Sequence, residues 1–182
     1  MRLWGILVGG AALGSAIAHP AAAQTELGVD LAFQVTNYAS SSEFIELDNV
    51  RSINFPTNYI RLGVFVTPQV SVEPRLGVNR STSGGQSVSS TQVLVSGYYH
   101  FPEMGPRRAA FARFGLGASI LGGSAVGDTQ MLVEAGVGVK FPARDKLLLR
   151  LEAFAGRAFE SDMSRAATRL GAAFGFSWFS AG

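Results

Sequence analysis

The strongest constraint in this 182-residue chain is a two-residue alternation that returns in eight separate segments beyond residue 24. A period of two puts successive side chains on opposite faces of an extended strand, so each segment has one apolar face and one mixed face. In the first, Leu27, Val29, Leu31, Phe33 and Val35 alternate with Gly28, Asp30, Ala32 and Gln34. In the second, Ile60, Leu62, Val64 and Val66 alternate with Tyr59, Arg61, Gly63 and Phe65. A turn at Thr67-Pro68-Gln69 leads to a third, where Val70, Val72, Pro74, Leu76 and Val78 alternate with Glu73, Arg75 and Gly77. The remaining five run over about 92–101, 113–120, 131–141, 147–156 and 169–178, and no segment carries a helical period. The pattern predicts an all-β chain of eight sequential antiparallel strands.

The connections carry a second regularity. Residues 37–57, 79–90, 122–128 and 159–167 form longer polar links, whereas 67–69, 102–107 and 142–146 are shorter, and each of the shorter ones contains proline, a turn former. Long and short links that alternate along a meander place all the long ones at one end. Short turns at one end and longer loops at the other are the asymmetry of membrane-spanning barrels.

Alternation alone does not say which face points outward, because a soluble lipocalin-like barrel turns its apolar face in and a membrane barrel turns it out. Glycine decides. Gly28, Gly63, Gly77, Gly115, Gly117, Gly136, Gly138, Gly156, Gly171 and Gly175 share a face with Asp30, Arg61, Glu73, Arg75, Arg113, Glu134, Lys140, Arg150, Glu152 and Arg169. On a wetted surface so many strand glycines would weaken the sheet and gain nothing. In an eight-stranded lumen, which is only just wide enough for side chains, they make room for long ones. The apolar face carries no charge over the strands as drawn, as expected against hydrocarbon, where a midplane Arg or Lys costs about 2–4 kcal/mol. Tyr59, Tyr99, Phe101, Phe141, Trp178 and Phe179 fall near strand ends and are expected in interfacial girdles. At roughly 10 residues per tilted span, eight spans use about half of the chain and leave the rest for links. An even number of strands puts both termini at the same, periplasmic end.

Before the first strand, Met1-Arg2, the apolar run Leu3–Ala18 and the small residues Ala21-Ala22-Ala23 read as a secretory signal peptide, residues 1–23, cleaved before Gln24. Residues 24–182 are then one exported barrel domain. The formal net charge of +2 is too small and too dispersed for a nucleic-acid partner, and the absence of cysteine excludes disulfide scaffolds and thiol chemistry.

The ten charged residues of the mixed face divide into acids and bases that can nearly neutralise one another, and buried charges must pair. They predict an ionic network filling the lumen. A narrow or gated, porin-like ion path is the alternative.

The run Tyr59–Val78, the segment Tyr98-Tyr99-His100-Phe101, the stretch Phe114-Gly115-Leu116-Gly117-Ala118 and the closing Phe174-Gly175-Phe176-Ser177-Trp178-Phe179 resemble the small outer-membrane β-barrel domains of Gram-negative bacteria, similar to OmpA and OmpX. The resemblance implies an integral outer-membrane location, contact with outer-membrane lipids, insertion by the barrel-assembly machinery, and roles from envelope integrity to adhesion through an extracellular ligand of the loops. It implies no common reaction and no cofactor. The final aromatic, Phe179, is followed here by Ser180-Ala181-Gly182, a departure from the usual terminal aromatic.

Some barrels of this size act on lipid A with histidine, serine and an acid. Beyond the leader there is one histidine, His100, beside the Pro102 turn, and so at the end away from the outer leaflet. It reads as a rim residue, and no catalytic residue is assigned. A lipid-modifying enzyme is the least favoured reading. One histidine, no cysteine and the loop acids Glu160 and Asp162 are too few to assign a metal site. Gly84-Gly85 and Gly122-Gly123 lack the lysine of a phosphate cradle.

Overall fold

A computed structural model describes residues 24–38, 50–83, 86–101, 109–123, 127–161 and 164–179. The leader, residues 1–23, lies outside the described residues. Eight strands follow in order: β1 (Thr25–Tyr38), β2 (Val50–Phe65), β3 (Val70–Ser83), β4 (Gln86–His100), β5 (Ala109–Gly123), β6 (Gly127–Arg144), β7 (Leu147–Ala158) and β8 (Ala167–Phe179). Each pairs with the next, and β1 pairs antiparallel with β8 to close the barrel. Closure removes the open edge and lets the backbone satisfy its hydrogen bonds within the sheet, as a strand-built membrane span requires. Glu26 pairs with Phe179, so the two ends of the described chain meet at one end of the barrel.

The alternation read from the sequence is the alternation of the faces. Leu27, Ile60, Leu76, Val95, Phe114, Val137 and Phe174 stand on the outer surface, and Met131 there is 62% exposed. The mixed face is turned inward and buried, with Arg61 and Arg150 among the largest fully buried side chains.

The register explains where the glycines go. Gly28 lies directly opposite Arg61, Gly63 opposite Glu26 and Gly77 opposite Tyr59. Gly117 faces Leu94, Gly136 faces Arg113, Gly138 faces Phe111, Gly156 faces Glu134, Gly171 faces Phe154 and Gly175 faces Asp30. Each long residue leans over the glycine of its neighbour. A Cβ on Gly28 would strike the Arg61 guanidinium, one on Gly77 the Tyr59 ring, and one on Gly171 the Phe154 ring. The glycines are therefore fitted to single partners as well as lowering the bulk of the lumen.

Three expectations change. The links at 79–90 and 122–128 are largely strand, because β3 and β4 pair as far as Ser83 and Gln86, and β5 and β6 as far as Gly122 and Gly127. Serine and threonine are competent in strands, and the ladder continues beyond the apolar belt. Long and short links consequently do not alternate when measured between strands. Pro142 belongs to β6, where a register shift lies between Pro142 and Arg144, a bulge of the kind that tolerates proline. The Pro102–Arg107 link lies outside the described residues.

The aromatic belt is also smaller than expected. Tyr99, Phe101, Phe141 and Trp178 are exposed on the outer face, but Tyr59 is buried in the lumen. Phe179 is half-buried and its ring lies tilted against that of Phe65, the centres 6.0 Å apart. Both have the inward parity of their strands, which outweighs their aromatic character.

Candidate functional site

The lumen is the densest concentration of chemistry in the chain. Asp30, Arg61, Glu73, Arg75, Arg113, Glu134, Lys140, Arg150, Glu152 and Arg169 are all buried there, and Glu26 joins them. Glu26 has the inward parity of β1 and lies one residue before Leu27, the first residue of the apolar alternation. Extending that parity by one step would have found it.

The lower part of the network is built around Arg61. Its Nη1 donates to Glu26 at 2.6 Å, its Nε to Asp30 at 2.8 Å, and Nη1 also lies 3.4 Å from Glu73. Its Nη2 donates to the Ser177 hydroxyl. Lys140 Nζ reaches Glu26 at 2.6 Å and sits about 6 Å from the ring centres of Phe65, Phe111 and Phe179, which line the floor.

Arg150 carries the network across the barrel. It reaches Glu73 at 3.1 Å and Glu152 at 2.6 Å, and donates to the Tyr98 hydroxyl at 2.7 Å. Its guanidinium also lies over the Phe111 ring at 4.4 Å. Arg113 then links Glu152 at 2.5 Å to Glu134 at 2.8 Å. Arg75 completes the chain, 3.8 Å from both Glu134 and Glu152 and 4.5 Å above the Tyr59 ring. Nine of the ten expected residues plus Glu26 are thereby connected through shared partners. Arg169 is not in this set of pairs, so the single network read from the sequence stops short of it.

Charges this deeply buried are held by their partners. Removing one member of a buried pair typically costs about 3–5 kcal/mol, because the other is left uncompensated. The arrangement therefore fixes the relative heights of strands that are distant around the barrel, since Arg61, Glu73 and Arg150 sit on β2, β3 and β7.

The Ser71, His100 and Glu73 cluster at the floor has the components of a hydrolase but not their order. Ser71 Oγ lies 3.0 Å from His100 Nε2 and donates to Glu73 Oε1 at 3.1 Å. In a working triad the acid orients the histidine through its other nitrogen, and the serine proton goes to histidine. Here the acid accepts the serine's hydrogen bond, and Ser71 has no exposed surface. His100 instead stacks on Phe65 at 5.1 Å, as part of the aromatic floor.

At the loop end, Gln130 Nε2 donates to the carbonyls of Phe159 and Arg165 at 3.3 and 3.0 Å. Outside the apolar belt, Asp128 accepts from Ser161 Oγ at 2.6 Å and from Ser164 Oγ, and these hydroxyls hold its carboxyl below the usual range. Glu160 is exposed, and Asp162 lies outside the described residues.

The family model for the outer membrane protein beta-barrel domain matches residues 9–178. No curated protein sequence matches the chain. Among solved structures, neisserial surface protein A superposes with a TM-score of 0.60 at 12% identity, covering 85% of this chain and 96% of that one. The outer membrane protein AlkL in lipid bilayers gives 0.58 at 11% identity, over 87% and 90%. Ail, the attachment invasion locus protein of Yersinia pestis, gives 0.53 at 6% identity, over 86% and 99%. At these identities the likeness is one of fold.

Proposed function

The chain belongs to the outer membrane protein beta-barrel domain family, and from that premise we propose that it is a non-enzymatic, closed-lumen barrel whose role is structural or lies in contacts made by its surface loops. The observation that carries this reading is the ion-pair network running from Glu26 to Arg75 across the lumen. It occupies the interior that a porin would leave to water, while the outer face is apolar and suited to lipid. In this reading outer-membrane lipids contact the belt, the barrel-assembly machinery inserts the chain, and any extracellular ligand meets the loop end.

Recording from purified protein in planar bilayers tests the closed lumen. The expected trace has no stable steps, and steady large conductance contradicts a filled interior. Deleting residues 40–48 tests the loop-borne role: the heat-dependent gel shift should persist while adhesion of cells displaying the protein is lost. Loss of folding instead places that segment in the structural framework and contradicts the role.

A further inference from the structure

The lumen has two levels of different composition. Toward the loop end, above the ion pairs, Gln34, Thr57, Gln92 and Ser119 point inward together with one charged residue among those described, Arg169. Tyr59 reaches up to this level and donates to Gln92 Oε1 at 2.7 Å.

Arg169 is only 7% exposed, yet its Nε and Nη1 have no hydrogen-bond partner among the described residues. It takes no part in the pairs that hold the other lumen cations. Thr57 Oγ1 and Ser119 Oγ are buried and unpartnered in the same way. Among the described residues the buried charge count agrees, since six lumen cations face five carboxylates. A guanidinium cannot shed its proton to escape burial, and an isolated buried charge is heavily penalised. A negative charge at this level would offset that penalty.

We propose that the upper lumen binds one small inorganic anion, of chloride size and charge, on Arg169. The competing partner is Glu134. It leans over Gly156, the cross-strand neighbour of Arg169, and its Oε1 makes no hydrogen bond. Its Oε2, however, already serves Arg113 and Arg75. A resident anion satisfies Arg169 without drawing Glu134 away from them.

The test follows the midpoint of the heat-dependent gel shift of the full barrel in detergent, in sodium chloride and in sodium gluconate at equal ionic strength. Gluconate is too large for a buried single-residue site. Ligand that binds only the folded state raises the midpoint in proportion to the logarithm of its excess over the dissociation constant. The wild type should melt several degrees higher in chloride than in gluconate, R169K should keep part of that difference, and R169Q should lose it. A second measurement needs no variant: crystals exchanged into bromide should give an anomalous peak within hydrogen-bonding distance of the Arg169 guanidinium. Equal midpoints in the two salts for the wild type, an undiminished chloride effect in R169Q, or no bromide peak with Arg169 turned onto Glu134 or a loop carboxylate would each overturn the proposal.

Discussion

The outer and inner faces of the same eight strands are specified in different ways. On β7, Leu151, Ala153 and Ala155 look outward, and the environment asks only that they be apolar. One residue away on the same strand, Arg150 and Glu152 look inward, and each must meet particular atoms on other strands. The outer face is thus defined by a class of side chain and the inner face by individual partners. Tolerance to substitution should divide along the same line, strand by strand.

The largest expected effect comes from breaking an inner hub. Glu73→Ala removes the shared acceptor of Arg61 and Arg150, and the barrel should lose about 3–5 kcal/mol in urea-dependent folding into lipid vesicles. Placing a charge on the outer face comes next: Val137→Arg, at a position 61% exposed on β6, should cost about 2–4 kcal/mol if it lies near the bilayer midplane. Gly171→Val is third. Its side chain would meet the Phe154 ring and the Phe33 carbonyl, and overpacking of this kind typically costs about 1–3 kcal/mol. By contrast, the outward change Val95→Leu, which keeps the surface apolar, should stay within about 0.5 kcal/mol. A Val95→Leu cost equal to that of Gly171→Val would erase the distinction between the faces.

The smallest effect is local. Because its hydroxyl partners lower the Asp128 pKa in the folded state, the tie contributes above the ordinary aspartate value of about 3.9 and is lost as pH falls below it. Protease cleavage within residues 159–166 should therefore rise as the pH drops toward the acid range. Asp128→Asn should show the raised cleavage already at neutral pH, with the melting midpoint of the barrel unchanged.

Much of this division is legible in the sequence, because a period of two assigns a face to every residue once one residue of the strand is placed. The inward set from Asp30 to Arg169 and the ten glycines follow from that rule alone. Parity also held the answer for Tyr59 and Phe179, which share the inward phase of Arg61 and Ser177, although their aromatic rings suggested the interface. Glu26 required only that β1 start earlier. The pairing itself was not legible. Whether Arg113 meets Glu152 or Arg169 meets any acid depends on the stagger of the strands around the barrel, and composition does not encode that stagger. The opposition of each lumen glycine to one bulky residue is the nearest sequence trace of it, since Gly28 opposite Arg61 and Gly138 opposite Phe111 each pin a register.

The orientation of the two faces is the claim on which the rest stands, and solid-state NMR of the unmodified protein in lipid bilayers measures it directly through magnetisation transfer from lipid acyl-chain protons. Transfer should reach Leu151, Ala153, Phe174 and Phe176 and leave Arg150, Glu152 and Gly175 dark. Transfer to the second set with the first set silent would mean that the apolar face is the core of a water-soluble barrel, and the account would be wrong.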